Sequence, residues 1–274
     1  MKHALPIFLA CFAVAACNQA ETAVPESEPA ASEAAEPSGT ASANAAASQE
    51  GARKVNVEND LYSFQFSYPA AAGAIPALKA WFEDKIEAQQ RLLDQSAREV
   101  KEAAAKEGFP YRAFGEWSDW QVVTELPDWL SLSATVGTYT GGAHPNHSFA
   151  ALLWDKQAGL RRDPVDLFLS KQALSGAVQG EFCRILDQQR ARKRGDTVDL
   201  SGIDDSFTGC IDPFDGQLIL GSSNGQTFNR IGFLVPPYAA GPYAEGDYKI
   251  TLPVTEPVLS AVKPRYREYF TQMR

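Results

Sequence analysis

Residues 62–68 read Tyr62-Ser63-Phe64-Gln65-Phe66-Ser67-Tyr68, four aromatic side chains alternating with three polar ones. Successive side chains of a β-strand point to opposite faces, so this pattern gives one aromatic face to bury and one polar face. A different periodicity starts immediately afterwards. Ile75, Leu78, Phe82, Ile86, Leu93, Ala97, Val100 and Ala104 recur at the spacing of a single helical face. Pro76 is tolerated in a first helical turn, and Gly108 with Pro110 beyond it supplies a stop. A helix of about 30 residues spans about 45 Å, enough to lie along a whole sheet. An aromatic strand followed by a long one-faced helix predicts an α+β fold.

The downstream sequence extends that class. Trp117–Glu125 and Trp129–Tyr139 are strand-like and joined by Leu126-Pro127-Asp128; a third strand, His147–Trp154, completes an antiparallel meander. An amphipathic helix runs from about Lys171 to Arg192 and packs on sheet. Strands return at Gln217–Leu220, Phe228–Val235 and Tyr248–Pro253, and a short helix from Thr255 to Tyr269 closes the chain. The expected architecture is antiparallel sheet, one or two, carrying a long N-terminal helix and a second amphipathic helix.

Upstream, the chain reads as an address and a leash. Ala4 to Ala16 is apolar and follows Lys2, a run too short to span a bilayer, which needs about 20 residues. It ends in Val14-Ala15-Ala16-Cys17. This resembles the bacterial lipobox, which implies removal of residues 1–16 as a signal peptide and acylation of Cys17. The competing reading is an ordinary secretory signal with an incidental cysteine. Asn18 rather than Asp after the cysteine favours the outer membrane in a Gram-negative host. Residues 17–52 lack aromatic residues, Lys and Arg, and cannot bury enough apolar surface to offset chain entropy. They are expected to be a disordered tether, leaving 53–274 as the folded domain, with an N-terminal part of about 53–125 and a C-terminal part of about 126–270.

Charge narrows the partners. Of the formal charge of −9, Lys2 contributes +1, the tether glutamates −6 and residues 53–274 only −4. A mildly acidic domain does not clamp phosphate backbones, so nucleic acid is not an expected partner. The one basic run, Arg190–Arg194, falls at a helix end, where it complements the helix dipole. In an oxidising compartment Cys183 and Cys210 suggest a disulfide closing a loop of about 28 residues, worth roughly 3–4 kcal/mol; two buried free thiols are the alternative.

Motifs for catalysis are missing. The proposed mature chain has only His144 and His147, too few for a three-ligand zinc site, and neither HExxH nor Gly-x-Ser-x-Gly occurs. The Gly221–Gly225 stretch lacks a phosphate-loop Lys and reads as a turn. Asp204, Asp205, Asp212 and Asp215 lack EF-hand spacing and read as a solvated loop. No catalytic residue, metal or cofactor is assigned.

Three blocks carry a family resemblance: Tyr139-Thr140-Gly141-Gly142-Ala143-His144-Pro145; Asp155, Gly159 and Asp166-Leu167-Phe168; and Pro237-Tyr238-Ala239-Ala240-Gly241-Pro242-Tyr243-Ala244-Glu245-Gly246. Together they resemble the extracytoplasmic domain of RsiV-like lysozyme-sensing anti-sigma factors, which also accompanies PdaC-like peptidoglycan deacetylases. The resemblance implies an α+β sensor or binding module outside the cytoplasm, not an enzyme. The expected partners are the membrane, through the N-terminal lipid, and a lysozyme-like protein or peptidoglycan.

The glycine-shaped loop presents His144 and Asn146, with Tyr139 and Gly142 beside them. His144 either meets a ligand or bonds backbone and holds the hairpin. Tyr238 and Tyr243, with Glu245, offer flat faces with polar tips suited to a sugar or a protein; the alternative packs the tyrosines inward. A cell-wall hydrolase pairing His144 with Asp166 or Glu245 is the competing function.

Overall fold

The computed structural model describes residues 51–195 and 207–273. The signal, Cys17, nearly all of the tether, and Asp204 and Asp205 lie outside the described residues. The described chain is a mixed α+β domain. A six-stranded sheet in the order β1-β2-β3-β4-β5-β6 joins Arg53–Glu58 (β1), Tyr62–Tyr68 (β2), Phe114–Glu125 (β3), Trp129–Tyr139 (β4), Asn146–Asp155 (β5) and Leu160–Arg162 (β6). A three-stranded sheet pairs Gln217–Gly221 (β7), Arg230–Val235 (β8) and Tyr248–Pro253 (β9). Every pairing is antiparallel except β2 with β3. A parallel neighbour needs a long crossover, and the helix Pro76–Glu107 (α1) supplies it.

The alternation in β2 is realised as written: Tyr62, Phe64, Phe66 and Tyr68 are buried. They meet the α1 face formed by Leu78, Phe82, Ile86, Leu93 and Ala97. The Phe82 ring stacks on Tyr68 at 4.8 Å and meets Trp120 edge-on at 5.3 Å. Pro76 stands in the first turn of α1, and Gly108, with φ +78, ends it by donating to Ala104 O at 2.9 Å. The second amphipathic helix, Lys171–Arg194 (α2), buries Leu174, Val178, Phe182 and Leu186 against the smaller sheet, with Phe182 edge-on to Phe233 at 5.5 Å. Trp129, Leu126 and Leu153 of the larger sheet and its hairpin join this second core. Position 125/126, taken above as the boundary between two parts, falls at the turn of the β3–β4 hairpin.

Cys183 and Cys210 form a disulfide with Cα atoms 5.5 Å apart. Three details depart from the sequence reading. β1 and β6 are additional strands; each is short and mostly exposed, and β1 turns only Val55 and Val57 towards the core. The last helix is broken. Glu256–Ala261 (α3) ends before Val262, which bridges to Phe168, and a 3-10 turn resumes at Pro264–Tyr269. Proline forces the residue before it out of the helical region, and Lys263 has ψ 137. Finally, Arg190–Arg194 is more than a dipole complement: Arg190 is buried and the run grips a loop described below. Among the described residues no helix is long and apolar enough to cross a membrane.

Candidate functional site

Two loops meet through ring contacts and a hydrogen bond. The first joins β4 to β5. Gly141 turns it with φ +90, a conformation only glycine adopts without strain. Tyr139 Oη donates to Gly142 O at 3.1 Å, and Arg112 Nη1 donates to Gly141 O and Gly142 O at 3.4 and 3.3 Å. Asn146 Oδ1 accepts from the His147 amide at 3.0 Å, fixing the start of β5.

The second loop runs from β8 to β9 and is held from beneath by α2. Arg190 Nε donates to Ala240 O at 2.9 Å and its Nη1 to Gly209 O at 2.8 Å. Lys193 Nζ donates to Glu245 O and Asp247 O at 2.6 and 2.5 Å. Arg194 pairs with Glu245 at 2.8 Å, both side chains about nine-tenths buried. Tyr248 donates its hydroxyl to the other Glu245 oxygen. A Cβ at Gly241 would run into the Glu245 carboxylate, so the loop closes only over glycine. Burial pushes the Glu245 carboxyl up, but hydrogen bonds from Arg194 and Tyr248, with the charges of Arg194 and Arg190, outweigh it and hold the group below the usual carboxylate range. The Tyr248 phenol is pushed up to about 12 by its own burial and by the Glu245 hydrogen bond and charge.

Held this way, the loops bring three rings together. His144 stacks on Tyr243 with centroids 4.0 Å apart, and Tyr238 lies 6.4 Å from His144 and 5.6 Å from Tyr243. Tyr243 Oη donates to Pro145 O at 2.9 Å, and His144 Nδ1 lies 2.9 Å from the same oxygen. A carbonyl only accepts, so Nδ1 carries the proton in the neutral ring. His144 Nε2 is then free to accept from Tyr238 Oη at 3.3 Å. Tyr238 has φ +69 and is the only non-glycine residue with positive φ among the described residues. Its side chain is about half exposed. Bulky residues rarely hold that backbone conformation, and such strain concentrates at functional sites.

The inward packing of the tyrosines is not what the fold shows: Tyr238 is exposed, Tyr243 is half-buried against the exposed His144 ring, and neither joins a core. The His144 ring does bond backbone, and it also takes part in the cluster. Glu245 is not beside the rings as a reactive group but beneath the loop in a buried pair. Asp166 is engaged elsewhere, accepting from the Asp163 amide at 3.0 Å. Neither carboxylate proposed for His144 touches it. His147 instead faces Asp247 at 3.9 Å and Phe149 edge-on at 5.8 Å. Asp212 accepts from the Phe214 amide at 2.8 Å and acts as a cap. Among the described residues no group of three or more His, Cys, Asp and Glu is placed to hold a metal.

One concavity had no signal in the sequence. Gln89 of α1 and Glu116, Ser118, Thr138, Asn146 and Ser148 of β3–β5 line a cleft of about 250 Å³ under the helix. Burial pushes the Glu116 carboxyl up, and the Lys85 charge only partly offsets this. The register makes the cleft intelligible: Glu116, Thr138 and Asn146 share one cross-strand row, and Ser118, Val136 and Ser148 share the next.

The family model described as deacetylase PdaC matches residues 55–147, from β1 to the start of β5, and so includes α1 and His144 but not Tyr238. Among solved structures, a DUF3298 family protein from Bacteroides fragilis is similar at 17% identity and TM-score 0.44, over 77% of this chain and 96% of that one. A DUF3298 family protein from Pseudomonas aeruginosa is similar at 12% identity and TM-score 0.47, over 81% and 97%. No curated protein matches the chain.

Proposed function

We propose that this chain is a binding or sensing module of the bacterial envelope, lipid-anchored through Cys17. It captures a cell-wall glycan or a lysozyme-like muralytic protein on the face made by His144, Tyr238 and Tyr243. The observation that carries this reading is the three-ring cluster, with His144 and Tyr238 exposed and Tyr243 half-buried, fixed on two braced loops and including a strained tyrosine. Rigid aromatic groups with polar tips give large contact area at low entropic cost, which is how binding surfaces are built. The PdaC match over residues 55–147 supports an extracytoplasmic setting. The lipobox resemblance supports the anchor, and mass spectrometry of the mature protein tests it: residues 1–16 still attached, or an unmodified Cys17, would remove it.

Titration calorimetry of the full chain with lysozyme and with peptidoglycan fragments tests the ligand. Binding of one of them, weakened about tenfold or more by Tyr238→Ala, is expected for an interface anchor. Silence towards both, or binding indifferent to Tyr238, rejects the proposal. The hydrolase alternative is not favoured by the observed geometry, since among the described residues no carboxylate pairs with His144.

A further inference from the structure

The larger sheet also has a face turned away from α1. Phe64, Phe66 and Trp120 point towards α1. Alternation then sends Gln65, Ser67, Trp117, Asp119 and Gln121 to the opposite face. Of the five tryptophans, Trp81, Trp120, Trp129 and Trp154 belong to or pack against the two cores, and Trp117 belongs to neither. Its indole covers Gly137 on the neighbouring strand, in the space that any Cβ there would fill. Glycine inside a strand weakens it and marks a close approach. Here the approach is that of an aromatic ring laid against the sheet. Among the described residues no other ring stacks on Trp117, which is half-buried.

Beside this ring lies a groove of about 300 Å³ whose lining includes Lys54, Gln65, Ser67, Trp117 and Asp119. Cross-strand register explains the grouping. Lys54, Ser67 and Asp119 share one row, and Gln65, Trp117, Gly137 and His147 share the next. Asp119 is oriented by Ser67 Oγ at 2.5 Å and Gln121 Nε2 at 2.8 Å, which leaves further acceptor positions on its oxygens. The row from Gln65 to His147 crosses three strand spacings, about 14 Å, and ends beside the loop that carries His144.

We propose that this groove binds a pyranose sugar of a polysaccharide, with Trp117 as the stacking platform and Asp119, Gln65 and Lys54 bonding the ring hydroxyls. A pyranose has an apolar C–H face that fits an aromatic surface and a rim of hydroxyls that fits planar amides and carboxylates. One Lys and one Asp leave the groove without a net charge, which suits a neutral ligand better than a phosphate or an acidic peptide. This deepens the proposed function by naming a ligand class and a site separate from the loop cluster.

Titration calorimetry of the full chain with a hexamer of N-acetylglucosamine and with cellohexaose tests it. At least one is expected to bind, with affinity lowered about tenfold or more by Trp117→Ala and severalfold by Asp119→Ala. Melting curves check each fold. If Trp117→Ala does not fold, Asp119→Ala and Gln65→Ala carry the decision, since their side chains lie outside both cores. Retention of wild-type affinity in the folded variants overturns the inference, as does failure of the wild type to bind either sugar at millimolar concentration. Sugar binding lost in Tyr238→Ala but not in Trp117→Ala overturns it while leaving the proposed function standing. The two readings fail separately: sugar binding lost in Trp117→Ala supports this groove, and lysozyme binding lost in Tyr238→Ala supports the loop cluster.

Discussion

Glu245→Ala removes the carboxylate that ties the β8–β9 loop to α2. Its partner Arg194 donates from Nε at 2.8 Å and from Nη2 at 3.2 Å, and the two side chains are only 9% and 10% exposed. Breaking a buried pair from one side leaves a desolvated charge, which costs about 3–5 kcal/mol. The Tyr248 hydroxyl also loses its acceptor. That loss belongs to the same network and does not simply add. For a domain of about 200 residues the expected fall in melting temperature is roughly 6–20 °C.

The pH dependence follows from the lowered pKa. A carboxylate held below its unfolded value stabilises the fold above that value, 4.5, and the contribution is lost as pH falls through the folded pKa. Urea unfolding of wild type and variant should therefore show the full gap at about pH 7 and a shrinking gap below about pH 4. Glu245→Gln keeps an acceptor for Tyr248 but not the charge, and should fall between the two. The variant should also bind the ligand of the loop cluster less tightly, because Tyr243 stands two residues from the broken contact. A loss under about 1 kcal/mol at neutral pH, or a gap that does not change with acid, would refute a buried ion pair as the brace.

Other perturbations follow from the same geometry. Gly137→Ala drives a methyl group into the Trp117 indole and should cost about 1–3 kcal/mol in urea titrations; an unchanged midpoint would mean the ring is not seated there. Phe82→Ala opens a hole among Tyr68, Trp120 and Phe66 and should cost about 3–5 kcal/mol. Reducing Cys183–Cys210, separated by 27 residues, should cost about 2–4 kcal/mol, read as a lower melting temperature in dithiothreitol. Glu116 has a raised pKa from burial, so its contribution is present below the unfolded value and lost as pH rises through the folded one. Glu116→Gln should then match wild type in acid and exceed it at neutral pH; a neutral-pH melting temperature below that of wild type would contradict the assigned cause.

The fold was legible where one side-chain period decided burial. The aromatic alternation of β2 and the α1 stripe from Leu78 to Ala104, except for Val100, which is exposed, specify both elements and their contact, because burying those faces dominates their energetics. The sequence signal is weak at β1, where only Val55 and Val57 pack against the core, and at β6, which is three residues long and mostly exposed. Sequence reading ran α3 through Pro264, giving helical spacing more weight than the constraint on Lys263. The parallel β2–β3 pairing was implicit in the long helix between the two strands, since no short connection joins parallel neighbours.

The candidate sites were less legible for a physical reason. Periodicity reports which residues are buried along one element, whereas a site is assembled across elements. His144 and Tyr238 are 94 positions apart and meet only because α2 grips the second loop. That grip uses Arg190, Lys193 and Arg194, whose run on a helix end looked like a dipole complement. The bonds go mainly to backbone carbonyls, which carry no sequence signature. Trp117 is the opposite case: its residue type was visible, but its role depends on standing over Gly137 one strand away. A glycine at an interior strand position opposite a tryptophan is a pairing that sequence can offer only after the register is known. Both surfaces thus follow from cross-element contacts, and the loop cluster and the Trp117 groove lie at the two ends of one row of the same sheet. An extended ligand crossing β2 to β5 would reach from one to the other, so oligosaccharides long enough to span that row should bind more tightly than single sugars. Equal affinity for monomer and hexamer would confine recognition to one of the two ends.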